Sequence, residues 1–144
     1  MNESLSDIVF VVDGQRVPAL RDVLKIKSKG FEEMFKNSDQ SVKEWSLEDT
    51  DLEAFKAMVR FLYTEELILN DEKDCKLIGE LMRIAVKYRI YRLVEVINEG
   101  FQKVLSLKNF EQYCKTAFDL KLKEMIPMFQ ISYDIIIYIF GTKV

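Results

Sequence analysis

Residues 8–20, IVFVVDGQRVPAL, join a β-branched and aromatic run to an Asp13-Gly14 dipeptide and a second short apolar stretch. Val, Ile and Phe favour a pleated, half-buried backbone, and Asp-Gly tolerates the positive φ angles of a type I′ turn. The segment therefore predicts two antiparallel strands in a tight hairpin. Pro18 has no N–H to donate and is expected to stop the ladder, after which Leu20, Val23 and Leu24 recur at helical spacing. Ser28 is placed to cap a second helix with apolar positions Phe31, Met34 and Phe35. The polar run Lys36-Asn37-Ser38-Asp39-Gln40-Ser41 then predicts a surface loop.

Further along, Trp45 and Leu47 alternate with Glu44 and Ser46, which predicts a brief strand returning to the hairpin, with Trp45 in the core. Thr50-Asp51-Leu52-Glu53 fits a capping box with Thr50 as the cap, opening a helix to about Tyr63 whose stripe is Leu52, Phe55, Met58, Val59 and Leu62. Leu67-Ile68-Leu69 reads as a further short strand. A helix opening at Asn70-Asp71 gathers Leu77, Ile78, Leu81, Met82, Ala85 and Tyr88. It meets a second, with Ile90, Leu93, Val94, Ile97, Phe101, Val104 and Leu105, at a tight corner near Arg89. Gly100 within that helix costs about 1 kcal/mol relative to Ala. Ser106 caps another helix containing Tyr113, Cys114, Ala117 and Phe118. A segment from Lys123 to Tyr133, interrupted by Pro127, and an apolar run from Ile135 to Phe140 complete the chain. Strands come first and helices later, with no linker or repeat between, so the expectation is one α+β unit with a helical tail.

Composition narrows the function. The 144 residues are 49% hydrophobic, enough for a real core, and 21 basic against 24 acidic residues leave a net charge of −3. That balance offers no field for nucleic acid or an anionic membrane, and the apolar run at 135–140 falls far short of the roughly 20 residues of a spanning helix. There is no histidine, which removes the usual general base and the commonest metal ligand; a non-catalytic protein without metal or cofactor is expected. Cys75 and Cys114 stand far apart with no CxxC partner. One disulfide is formally open, and two isolated thiols in an intracellular protein, in cytoplasm or nucleus, is the simpler reading. The N-terminal residues 1–6 lack the basic and apolar regions of a secretion signal.

Charged clusters have plain readings. Glu48, Asp49, Asp51 and Glu53 lack the spacing and turn glycine of a calcium loop and suit helix capping. Arg83, Lys87, Arg89 and Arg92 form a basic strip that suits solvent or an acidic partner. The apolar tail from Ile131 to Phe140 needs cover, either from the preceding helices or from another protein surface.

These segments, in order and spacing, resemble a BTB (POZ) domain over residues 1–105 followed by a BACK-like helical extension over 106–144. The first strand of that family corresponds to Asp7-Ile8-Val9-Phe10-Val11-Val12, and its next phrase to Val17-Pro18-Ala19-Leu20-Arg21-Asp22-Val23-Leu24. A third corresponds to Ser28-Lys29-Gly30-Phe31-Glu32-Glu33-Met34-Phe35. Phe55 with Phe61-Leu62-Tyr63-Thr64, and Ala85-Val86-Lys87-Tyr88, resemble two later ones. The resemblance implies a small mixed sheet packed on a helical cluster, and a protein-interaction adaptor, as substrate receptor or scaffold-binding part of a cullin-RING ubiquitin ligase. Its partners would be the cullin N-terminal domain and a substrate.

The implied cullin-type surface is Phe35, Asn37, Ser38, Asp39, Gln40, Tyr88 and Arg89. The alternative is a homo-oligomeric or transcription-related assembly module using a groove at Asp7, Leu20 and Arg21, where Asp7 and Arg21 would form a charged pair. The chain departs from the family at Leu20, usually His, and at Glu65, usually Gly. It also lacks the apolar-x-Glu motif that cullin-recruiting members carry after the third phrase. Only residues 1–6 precede the first strand, so a dimer through a swapped N-terminal helix is not expected; a smaller homodimer through the first helices, or a monomer, is.

Overall fold

The structure, a computed structural model, describes residues 5–69, 75–104 and 115. The readings made for residues 105–144, including the BACK-like extension and Cys114, otherwise lie outside the described residues, as does the start placed at Asn70-Asp71. Strands β1 (Ile8–Val12) and β2 (Gln15–Ala19) pair antiparallel, with Val12 opposite Gln15 across a two-residue turn. Asp13 and Gly14 have φ of 51° and 75°, as a type I′ turn requires.

Pro18 does not stop the ladder, since β2 runs through it to Ala19. The alternation of an antiparallel pair explains why. Val12 and Gln15 flank the tight turn as a hydrogen-bonded pair, so Pro18, opposite Val9, falls at a position whose amide points away from β1. Because β2 is an edge strand, the missing N–H leaves no ladder bond unmade.

Strand β3 (Glu44–Leu47) adds parallel to the other side of β1, giving the order β2-β1-β3. The helices are α1 (Arg21–Lys27), α2 (Lys29–Lys36), α3 (Leu52–Thr64), α4 (Cys75–Lys87) and α5 (Tyr91–Val104), an α+β arrangement. One sheet face buries Ile8, Phe10 and Val12 against the helices. Phe10 stands edge-on to Phe31 of α2 at 5.7 Å and to Phe55 of α3 at 5.2 Å, so a single ring ties the sheet to two helices. Trp45 is half-buried at the rim of this core, edge-on to Phe35 at 6.2 Å. No helix among the described residues is long and apolar enough to cross a membrane.

Two local expectations are corrected. Helix α3 is capped by Asp51, whose carboxylate accepts the Ala54 N–H at 2.9 Å, while the Thr50 hydroxyl turns back to donate to the Glu48 carbonyl. An ionised carboxylate is the stronger acceptor, and the turn at Asp49, with φ of 51°, delivers it one residue later than the capping-box spacing suggests. Residues 67–69 form no strand. Leu67 and Leu69 do point inward and Ile68 outward, but the inward pair packs on helices, with Leu69 in the space left by the missing side chain of Gly100.

Helix α3 ends at Glu65, which holds φ of 58° while its N–H reaches the Phe61 carbonyl at 2.7 Å. Glycine adopts this left-handed geometry without a Cβ penalty, whereas the exposed Lys27–Glu65 ion pair contributes little. Glu65→Gly should therefore raise stability in urea by about 0.5 kcal/mol or more. A lowered unfolding midpoint would show that the ion pair outweighs backbone strain.

Candidate interaction surface

The site is organised by a junction between the start of α2 and the end of α4. Helix α4 closes in a Schellman arrangement: the Ile90 N–H reaches the Ala85 carbonyl at 2.9 Å and the Arg89 N–H reaches that of Val86 at 3.2 Å, with Arg89 left-handed at φ of 52°. The Tyr88 carbonyl then accepts from the Ser28 hydroxyl at 2.7 Å and from the Gly30 N–H at 2.8 Å. Ser28 is simultaneously the N-cap of α2, accepting the Phe31 N–H at 3.1 Å, so its one hydroxyl serves two helix ends. Above this contact the Tyr88 ring stacks on Phe31, 4.3 Å apart and within 9° of parallel.

Two of the expected contact residues lie largely in the core. Tyr88 is 5% exposed and Phe35 is 2% exposed, with the edge of Phe35 lining a shallow surface groove beside Gln40. Burial pushes the Tyr88 hydroxyl above its ordinary pKa. Sequence spacing marked both as apolar helix positions; their chemistry alone did not reveal which face of each helix was covered.

The remaining expected residues do converge. Asn37, which ends α2, donates its N–H to the Glu33 carbonyl at 3.0 Å, and the Glu33 carboxylate pairs with Arg89. The corner after α4 is thus fastened one turn from the 37–40 loop. That loop is mainly exposed but pinned: the Ser38 hydroxyl and Gln40 amide donate to the Phe35 carbonyl at 3.2 and 3.4 Å, and the Asp39 carboxylate accepts the Ser41 N–H at 2.9 Å. The Ser41 backbone and side chain hold Asp39 below the usual carboxylate range. Next to Arg89 stands a residue the sequence reading passed over, Tyr91, 63% exposed at the start of α5. A tyrosine one position out of phase with a helix's buried stripe was the available signal.

Asp7, Leu20 and Arg21 also meet, though not as the expected charged pair. The Asp7 carboxylate accepts the Arg21 backbone N–H at 2.8 Å, capping α1 from a distance because Leu20, at the N-cap position, has no side-chain acceptor. The Leu20 N–H donates instead to the Tyr63 hydroxyl at 2.8 Å. The guanidinium of Arg21, only 8% exposed, turns to the Gln40 carbonyl at 3.3 Å and lies over the Phe35 ring at 5.5 Å. Arg21 therefore supports the 37–40 loop from beneath.

In the basic strip, Arg83, Arg89 and Arg92 each pair with a glutamate, and Lys87 lies over the Tyr88 ring. Among the described residues no group of His, Cys, Asp and Glu could hold a metal.

Two outcomes test this geometry. A Cβ on Gly30 would lie 2.6 Å from the Tyr88 backbone, so Gly30→Ala should destabilise the protein by about 1–3 kcal/mol in urea unfolding, and a neutral result would refute the tight junction. Arg89 holds the Glu33 carboxyl below its ordinary pKa, first by hydrogen bonding and then by charge. A depressed carboxylate stabilises above its unfolded pKa and loses that contribution as pH falls through the folded value. Stability curves of wild type and Arg89→Gln should accordingly differ at neutral pH and converge in acid; a constant offset would count against the pair.

Comparisons with known proteins agree with the geometry. The profile of the BTB/POZ domain family matches residues 1–105. BTB/POZ domain-containing protein 9 of Homo sapiens is 30% identical over 130 residues, covering 88% of this chain and 20% of the relative. Kelch-like protein 36 of Mus musculus is 31% identical over 121 residues, covering 83% and 19%. The chain thus spans about a fifth of the length of these curated relatives. The BTB domain of zebrafish PATZ1 superposes with a TM-score of 0.58 at 22% identity, covering 68% of this chain and 76% of that one. The BTB domain of human gigaxonin gives 0.57 at 17%, covering 68% and 79%. With the hairpin, the parallel third strand and the helical cluster in place, the chain belongs to the BTB/POZ domain family of protein-interaction modules.

Proposed function

We propose that the chain is a non-catalytic adaptor that serves as substrate receptor or scaffold-binding part of a cullin-RING ubiquitin ligase, with residues 106–144 as a BACK-like extension, in the cytoplasm or nucleus. The observation that carries this reading is that the exposed 37–40 loop at the end of α2 lies one turn from the Glu33–Arg89 pair, with Tyr91 exposed two residues beyond Arg89. Similarity to Kelch-like protein 36 supports it. The family's apolar-x-Glu motif is replaced here by a polar loop, so the anchor comes from elsewhere. Tyr91 supplies a large amphipathic ring of the kind that dominates interface energetics, and the loop's internal hydrogen bonds reduce the ordering cost of binding. The mechanism is positioning: the face meets the helical N-terminal domain of a cullin while another surface holds the substrate.

A second reading, homo-oligomerisation or a transcription-related assembly without cullin, is favoured by one feature. Ile26 on α1 is 81% exposed and lines a shallow groove with Lys25, Glu32, Phe35, Lys36 and Gln40.

Calorimetric titration of this chain with a cullin N-terminal domain should give a micromolar or tighter complex, weakened about tenfold or more by Tyr91→Ala, which leaves the fold intact. Absence of binding, together with a stable dimer by light scattering, would overturn the cullin reading in favour of the second.

A further inference from the structure

Along the outer side of β2 and α3 runs a groove of about 620 Å³ that belongs to neither face discussed above. Its floor is apolar, with Val17 and Val59 nearly buried and Tyr63 half-buried. Its rim is cationic: Arg16 from β2, with Lys56 and Arg60 from α3, line it, and no carboxylate does. In a chain of net charge −3 this is a local excess of positive charge. The two cations on α3 are poorly compensated: Lys56 reaches Glu53 only at 4.0 Å, and among the described residues Arg60 has no ion-pair partner, while Arg16 pairs with Glu44 at 3.3 Å with both side chains about half exposed. Exposed pairs of this kind contribute little and exchange readily.

We infer that this groove docks an extended acidic peptide segment of a partner protein, with one aliphatic or aromatic side chain on the Val17–Val59–Tyr63 floor and carboxylates against Arg16, Lys56 and Arg60. Charge complementarity selects the occupant. A bare apolar floor would accept many side chains, but a rim of three cations without a carboxylate repels basic segments and favours acidic ones. The volume suits one or two side chains with their backbone and excludes a folded domain. Strand addition to the edge of β2 is blunted, because Pro18 occupies an outward-facing position and offers no N–H there. Recognition therefore falls to side chains. The groove shares no residue with the 37–40 loop, Glu33, Arg89 or Tyr91, so this inference stands independently of the cullin reading.

The test is selection of random dodecapeptides displayed on phage against the intact chain, with counter-selection against the Lys56→Glu/Arg60→Glu variant, whose altered side chains are both exposed. Recovered peptides should carry Asp or Glu flanking an apolar residue. A fluorescein-labelled copy should lose about tenfold or more in affinity on Arg60→Glu and none on Tyr91→Ala, and should weaken steeply with salt. Circular dichroism melts of both variants establish that they fold. Selection that yields no peptides, or peptides without acidic residues, would overturn the proposal, as would binding indifferent to Arg60→Glu. A single-stranded oligonucleotide that competes equally at Arg60 would overturn it too, by showing a general polyanion site.

Discussion

Everything on the helical side of this molecule depends on one carbonyl, that of Tyr88. It is the last acceptor of α4, and it is received by the first donors of α2, the Ser28 hydroxyl and the Gly30 N–H. A buried carbonyl without partners costs roughly 1–3 kcal/mol, so a helix can end inside a protein only where another element supplies donors. Here the start of α2, itself short of acceptors, supplies them. The approach is so close that only a residue without Cβ fits at position 30. The two helix ends also oppose in dipole sign, which favours the same contact.

From that contact the surface follows. Docking α4 on α2 forces the Tyr88 ring onto Phe31 and into the core, and the left-handed turn at Arg89 then throws the next side chains outward. Arg89 reaches Glu33, and Tyr91 stands beside it in solvent. The aromatic residue that resemblance would place at the partner contact is thus consumed by the junction, and another three positions on takes the exposed place. The same economy governs Arg21. Because Asp7 is occupied in capping α1, the guanidinium is released to hold the Gln40 carbonyl under the exposed loop.

The elements were legible where the signal is local. The hairpin could be read because Asp13-Gly14 between β-branched runs leaves few other conformations, and the N-cap at Ser28 because a hydroxyl before an amphipathic stretch has few other uses. Pro18 was misjudged because its effect depends on which side of β2 faces a neighbour, a property of the sheet and not of the dipeptide. Residues 67–69 have strand alternation, yet the pattern reports only which side chains turn inward, and helices receive them as well as a sheet would. For the site, exposure was the missing quantity. Polar runs lie outside, as Asn37 to Gln40 largely do, whereas the resemblance that puts Tyr88 and Phe35 on the same surface carries no measure of burial.

The sheet side and the helix side present different kinds of surface. At the end of α2 the polar groups are already engaged, with the Ser38 hydroxyl, the Ser38 N–H and the Gln40 amide all donating to the Phe35 carbonyl, so a partner would meet a pre-shaped polar surface with one tyrosine. Along α3 the side chains are long, exposed and weakly paired, so a partner there would meet mobile charges over a fixed apolar floor. The first kind of surface gains affinity from preorganisation and responds to changes of shape; the second gains association rate and selectivity from charge and responds to salt. Phe10, packed between Phe31 and Phe55, connects the two, because it braces α2 and α3 against the same strand. The adaptor role proposed above requires that brace to be stiff, and the close packing of Phe10 against both helices resists displacement of either one.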